Sequence, residues 1–358
     1  SPSESTPSGP PTPPSERIYI ETVRVGDPGN APHPSTLFGS VEYEFEIGKY
    51  MVTIGEYCTF LNAVAANDTY NLYNERMATD LNVAGIERKG SEGSYTYSVI
   101  NNNGSSEKRP ISYVSFFDAA RFANWMANGQ PKSGTQDAST TEAGAYALYG
   151  ATSGVVPSKS SINTNTGDPP EYYIPLEDEW YKAGFFDPDL NDGAGGYWTY
   201  ATKSNSAPGN KIGDDINQVN YIANSLYSVT QRVEYLPTQN YLSDVGAFTM
   251  SPSYYNTFDQ NGNLGEWNNG NGSPSSSMGS RGNFWASGLN GLRSFAYLSA
   301  AQESNDLGFR IARPKPTQSI PPKEPPSSIC SDVVKIDPGC SCDKPFWHPR
   351  KKACVSRM

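Results

Sequence analysis

From residue 184 to residue 300 the chain has few periodic segments and is rich in Gly, Asn, Ser and Tyr. Loops of this length inside a compact domain need an organiser, either bound ions or dense side-chain hydrogen bonding. No internal repeat of fixed period is present. The wider composition has the same polar, loop-rich character. Hydrophobic residues make up 36% and charged residues 18% of the 358, against about 45–50% and about 25% in ordinary domains. Aromatic residues reach 12%, enough to build a core and to set the chain apart from disordered sequences. The length allows one large domain or two average ones.

Several functions are excluded at this point. No apolar run approaches the roughly 20 residues needed to span a bilayer, so no membrane span is expected. The net charge of −10 lacks the basic face of a nucleic-acid binder. His33 and His348 are the only histidines, which argues against Ser-His-Asp catalysis and multi-histidine metal sites.

Four of the five cysteines, Cys330, Cys340, Cys342 and Cys354, crowd the last 29 residues. This spacing reads as a disulfide-stapled knob from an oxidising compartment, with three pairings open. Zinc is the rival reading, but Cys340-x-Cys342 is tighter than the usual ligand spacing. Sequons at Asn67, Asn103 and Asn271 agree with a secreted or cell-surface glycoprotein carrying glycans.

Residues 1–17 hold six Pro, five Ser and two Thr. They read as an extended arm that at about 3.1 Å per residue reaches roughly 50 Å. Residues 314–329 repeat this character with six Pro and form a linker to the knob at 330–358. The intervening block, 18–313, opens with a strand over 18–25. Val41, Tyr43, Phe45 and Ile47 alternate with Glu42, Glu44 and Glu46, the pattern of a strand with one wet face. Tyr95, Tyr97 and Val99 mark another.

Thr53-x-x-Glu56 is a capping box. It precedes a helical face of Ile54, Tyr57, Cys58, Leu61 and Ala65, where Cys58 reads as a small buried hydrophobe rather than a reactive thiol. Ser115 caps a second helix over 116–127, with Phe116, Ala119, Ala120 and Ala123 inward and Gly129 past its end. A third starts at Pro175, with Glu177, Asp178 and Glu179 expected in one exposed turn at the positive end of its dipole.

Several segments in order carry a family resemblance. They are Val25-Gly-Asp-Pro-Gly-Asn30, Ile47-Gly-Lys-Tyr-Met-Val-Thr53, Tyr113-Val-Ser-Phe-Phe-Asp-Ala-Ala120, Ile174-Pro-Leu-Glu-Asp-Glu-Trp180, Asp259-Gln-Asn-Gly-Asn-Leu-Gly-Glu-Trp267, Arg281-Gly and Leu307-Gly-Phe-Arg310. Across 18–313 the chain resembles the formylglycine-generating enzyme (sulfatase-modifying factor) family, most of all its bacterial secreted branch. The resemblance implies a single irregular α/β domain of the C-type-lectin-like kind, with short mixed strands, two or three helices and long ordered loops.

The family's enzymes use two cysteines, a few residues after Arg-Gly-Gly-Ser, to bind copper and oxidise a substrate cysteine. Here Ser287 and Leu292 stand near those positions, Phe284 replaces the motif Ser, and Gly265 replaces a motif Trp. Neither Ser nor Leu supplies the soft sulfur that copper prefers, so no copper and no oxidase activity are expected.

The resemblance also implies a structural calcium site made of the Asp259 side chain, the carbonyls of Gly262 and Leu264, and the Glu266 side chain. A second would use Asn220 and the Tyr221 carbonyl. Calcium favours such hard oxygens on a Gly-bent loop, whereas the plainer reading is an Asn-Gly turn.

The expected function is a non-catalytic extracellular assembly protein, a subunit of a glycosylated filament or surface layer. Its N-terminal arm would dock on a neighbouring copy, since such head-to-tail contacts propagate. One alternative is a carbohydrate- or protein-binding lectin-like module with Trp198, Trp267 and Trp285 as stacking candidates. Another is a diverged copper-dependent oxidase.

Overall fold

A computed structural model describes residues 17–315, together with the backbone of residues 347–348 and 353–354. The chain falls into two units, 1–315 and 316–358. Residues 1–16, most of the proline-rich linker, and Cys330, Cys340 and Cys342 lie outside the described residues.

The first unit runs β1 (Thr22–Val25), β2 (Phe45–Gly48), α1 (Ile54–Val64), α2 (Arg76–Thr79), β3 (Ile86–Lys89), β4 (Thr96–Val99), α3 (Phe116–Ala127), α4 (Glu177–Phe185), β5 (Phe186–Asp187), β6 (Gly196–Tyr197), β7 (Gly265–Asn268), β8 (Ser277–Arg281), β9 (Phe295–Ser299), β10 (Leu307–Phe309) and β11 (Ala312–Pro314). Three two-stranded or three-stranded sheets and one four-stranded sheet result. In the second unit β12 (Trp347–His348) pairs antiparallel with β13 (Ala353–Cys354), so the backbone of Cys354 lies opposite that of Trp347.

The strand read from Val41 to Ile47 forms only at its end, as β2. Val41, Phe45 and Ile47 are buried, but the ring of Tyr43 is 47% exposed. Its hydroxyl is drawn in and donates to Glu179 Oε1 at 2.8 Å. β2 is the centre of a sheet ordered β1-β2-β11, antiparallel throughout. Pro314, expected in the linker, instead closes β11 opposite Phe45. It lies on an edge strand, where a missing N–H is tolerated.

Both expected caps form. Thr53 accepts from the Glu56 amide and Glu56 reaches back to the Thr53 amide, opening α1. Ser115 and Asp118 do the same for α3. Every residue of α3 is buried, so its polar members turn to partners inside the protein, with Arg121 Nη1 left unmatched among the described residues. Arg121 makes two hydrogen bonds to Glu142, at 2.7 and 2.9 Å. Asn124 donates to the carbonyls of Thr141 and Tyr146. Phe60, Phe122, Trp125 and Phe309 pack edge-on or tilted around it at 5.2–5.8 Å, the favoured aromatic geometry.

The start of α4 corrects one expectation. Glu177 and Glu179 are 3% and 1% exposed, not members of an exposed turn. Glu179 accepts from the hydroxyls of Tyr43 and Tyr173 and from the Leu176 amide, Glu177 pairs with Arg281, and Asp178 accepts from the Gly39 amide. Long-range partners, more than the helix dipole, hold these carboxylates.

Strands β7, β8 and β9 lie inside the stretch read as aperiodic. With β10 they form the sheet β10-β7-β8-β9. Their burial does not alternate: β7 is buried on both faces and β9 is almost wholly exposed, so no period-2 signal exists to find. Residues 198–264 contain no helix or named strand. Buried asparagines organise them. Asn210 donates to the carbonyls of Tyr221 and Leu226, Asn240 to that of Ala84, and Asn261 to that of Leu292. An amide side chain offers two donors and an acceptor, which suits it to satisfy loop backbone.

Candidate functional site

Helix α4, the end of β8, the loop at 33–36 and the segment 292–294 surround a cavity of about 400 Å3. α4 supplies Trp180, Tyr181 and Phe185 to its wall. Tyr181 stacks on Phe185 with ring centroids 4.8 Å apart. Trp180 is fixed by its indole N–H, which donates to Glu266 Oε2 at 2.9 Å. Trp198 is fixed in the same way by Asp187 Oδ2, also at 2.9 Å.

Arg281 stands at the centre. Its guanidinium carbon lies 4.7 Å from the ring centroid of Phe38 and 4.8 Å from those of Tyr181 and Phe295, within cation–π range. Its Nε pairs with Glu177. Burial pulls its pKa down to about 10. Nη2 of Arg281 and Oε2 of Glu177 are buried and have no hydrogen-bond partner among the described residues. A second cavity of about 180 Å3, reaching Gly265, Asn283 and Asp306, shares Arg281 and Ser294 with the first. In the larger cavity His33 Nδ1 accepts from the amides of Ser35 and Thr36, which fixes that nitrogen as unprotonated. Burial also lowers the His33 pKa.

Of the two positions where the family resemblance puts thiolates, 292 borders this cleft. Leu292 lines the larger cavity and is 1% exposed. Ser287 is buried, donates to Asn283 Oδ1 and accepts from the Phe284 amide. Among the described residues Cys58 is the free cysteine. It sits buried on α1, and desolvation pushes its thiol up to about 11. That agrees with its reading as a structural residue.

The two segments expected to hold calcium are brought together, and Glu266, Asp259 and the Tyr221 carbonyl serve other partners. The Asn263 amide donates to the Asn220 carbonyl at 2.9 Å, and Asn220 Nδ2 donates to Asn263 Oδ1 at 3.1 Å. Gly262 (φ +74°) packs so tightly that a Cβ would meet the Asn220 carbonyl at 2.2 Å. The Tyr221 carbonyl accepts from Asn210. Leu264 is fully buried beside them.

Glu266 is held by Arg310 through Nε–Oε2 at 2.5 Å and Nη2–Oε1 at 2.6 Å, and by Trp180. Asp259 Oδ2 accepts from the Gly246 amide, and desolvation pushes this carboxyl up to about 6. Calcium needs several free hard oxygens, two of them charged. Arg310 already compensates the Glu266 charge, so Glu266 is not a free charged donor for the ion.

The stacking candidates divide. Trp267 and Trp285 are buried core residues, and Trp267 donates to the Val114 carbonyl. Trp198 alone of the three lines the cavity. Asn67, Asn103 and Asn271 are all exposed. Oδ1 of Asn103 accepts from the Asn240 amide and that of Asn271 from the Ser273 amide. Sequence reasoning missed His33, Trp180, Tyr181 and Arg293 as wall residues. The one signal for them was the clustering of Trp180, Tyr181 and Trp198 within 19 residues.

Fold and site together define an irregular mixed α/β domain of small sheets and few helices, with an aromatic and cationic cleft. Residues 30–315 match the family described as the sulfatase-modifying factor enzyme 1-like domain, and the chain belongs to that family. The chain is also similar to CarF, at 18% identity and a TM-score of 0.45, covering 84% of this chain and 100% of that one. Treponema denticola variable protein 1 is similar at 14% identity and a TM-score of 0.45, with 83% and 96% covered. PvdO from Pseudomonas aeruginosa is similar at 15% identity and a TM-score of 0.39, with 83% and 92% covered. No curated protein matches the sequence. Among the described residues no helix is long and apolar enough to cross a membrane.

Proposed function

We propose that this chain is a non-catalytic extracellular member of its family, an assembly subunit that docks its proline-rich arm on a neighbouring copy. The observation that carries the non-catalytic reading is the pair Ser287 and Leu292. Both are buried, neither is a thiol, and the described free cysteine is in the core on α1. A soft-metal oxidase needs thiolate ligands at the cleft, and among the described residues the cleft offers none.

Two features support assembly. β9 is an edge strand, with Phe295 and Tyr297 46% and 56% exposed. The chain also carries a six-proline arm, and polyproline segments dock on aromatic surfaces.

The test has two parts. Oxygen uptake with copper and a cysteine-containing peptide should stay at background, and stoichiometric turnover would overturn the non-catalytic reading. Electron microscopy of the native protein should show regular filaments that are lost on deleting residues 1–17. Intact filaments from the deleted chain, or dispersed particles from the native one, would overturn the assembly reading.

A further inference from the structure

The walls of the larger cavity run against the charge of the whole protein. The chain carries a net −10, yet among the described residues no Asp or Glu lines this cavity, while Arg281 and Arg293 do. Arg281 is 5% exposed, and its Nη2, like the Oε2 of its partner Glu177, has no hydrogen-bond partner among the described residues. A buried donor left unmatched is costly, and in native structures such a group calls for an explanation. Arg293 is exposed, and among the described residues it forms no ion pair with a carboxylate. Glu177 balances one of the two guanidiniums. One net positive charge remains at the cleft, which suits a ligand with a single negative charge.

The rest of the wall describes the body of that ligand. Trp198, with its indole N–H already tied to Asp187, presents a fixed flat ring, and Tyr181 and Phe185 form a second stacked aromatic surface. Such surfaces pack against the apolar face of a sugar ring. Thr36, Thr199 and Ser294 add hydroxyls to the same wall, and these match a ring bearing several hydroxyls better than a plain aromatic acid. The volume, about 400 Å3, falls within the range of small-molecule sites.

We propose that this cavity binds an anionic pyranose, a sugar ring carrying one carboxylate or one sulfate ester, with the anion on Arg281 and Arg293 and the ring against Trp198. The inference is independent of the assembly reading: a monomeric protein can bind the sugar, and a filament can form without it.

The experiment titrates the full chain with D-glucuronate, D-glucose 6-sulfate and, as the neutral control, D-glucose. Tryptophan fluorescence is the readout, since Trp180 and Trp198 line the cavity. At least one anion should quench saturably, and glucose should not. Raising salt to about 0.5 M should weaken binding, since screening shortens the reach of both guanidiniums. Arg293→Ala should weaken it about tenfold with no change in unfolding midpoint, because charge-assisted hydrogen bonds are the strong ones. Trp198→Ala should reduce affinity for both anions alike.

Binding of glucuronate alone would assign a uronic acid, and of the sulfate alone a sulfated sugar. No saturable response to either anion up to about 20 mM, weaker than almost any specific site, would overturn the proposal. Equal binding of glucose, or full affinity in Arg293→Ala, would do the same. Arg281 is left intact because its loss would strand Glu177.

Discussion

Arg310 and Glu266 face each other with neither exposed to solvent, joined by two hydrogen bonds of 2.5 and 2.6 Å. The same guanidinium donates to the carbonyls of Gly48 and Phe258. One side chain therefore ties the end of β2, the loop before β7 and β7 itself. Removing one partner of such a pair strands a buried charge, at a cost of about 3–5 kcal/mol. Arg310→Met should lose stability on that scale in chemical denaturation. The double variant Arg310→Met, Glu266→Leu should recover part of it, because the stranded carboxylate is gone. A double variant no better than the single would show that the pair's geometry, not its charge, holds the fold.

The same pairing bears on calcium. With Glu266 committed to Arg310 and Trp180, stripping the protein with a chelator and restoring calcium should leave the thermal unfolding midpoint unchanged. A rise on calcium addition that Glu266→Gln abolishes would mean that the ion competes successfully with Arg310.

Asp118 makes stability depend on pH. Desolvation first, then the nearby Glu303, push its carboxyl up to about 7, against the hydrogen bonds from Ser115. Its pKa is raised on folding, so the folded state favours the protonated acid. The associated stability is full below the unfolded pKa, about 3.9, and is lost as pH rises through about 7, a change on the order of a few kcal/mol. The midpoint of the native protein should therefore fall relative to that of Asp118→Asn between pH 4 and 8, a comparison that cancels the other acids. Parallel pH profiles for the two would refute this assignment.

Cys58 should resist alkylation. Its thiol is buried and pushed up to about 11, and the thiolate is the nucleophile. Iodoacetamide treatment of the native protein followed by peptide mapping should leave Cys58 unmodified until denaturant is added. Labelling of the native protein at the rate of a free thiol would place this helix face in solvent.

The two capping boxes were legible in the sequence because they are local. Thr53 and Glu56, and Ser115 and Asp118, sit three residues apart and bond each other's backbone. Thr53→Ala and Ser115→Ala should each cost about 1 kcal/mol, read from unfolding midpoints. A change much larger than this at Ser115 would reflect the release of the buried Asp118 rather than the cap alone.

The acidic start of α4 was misread for the opposite reason. Glu177, Asp178 and Glu179 look like a solvated first turn. The groups that bury them, Arg281, Gly39 and Tyr43, lie 104, 139 and 136 residues away. No local pattern encodes partners at that distance. Strands β7, β8 and β9 were hidden likewise, since a strand buried on both faces and a strand exposed on both faces each lack alternation.

The sequence by itself determined α1 and α3, their caps and inward faces, the family and the absence of cysteine at positions 287 and 292. Each of these is written in residue types at short, fixed spacings. Tertiary structure alone decided that the long aperiodic stretch is organised by buried asparagines, that Glu266 belongs to Arg310, and that Arg281 stands among three aromatic rings beside a cavity with no acidic wall among the described residues. Those outcomes depend on which distant segments share the interior, where an unmatched charge or N–H must find its partner wherever the chain brings one.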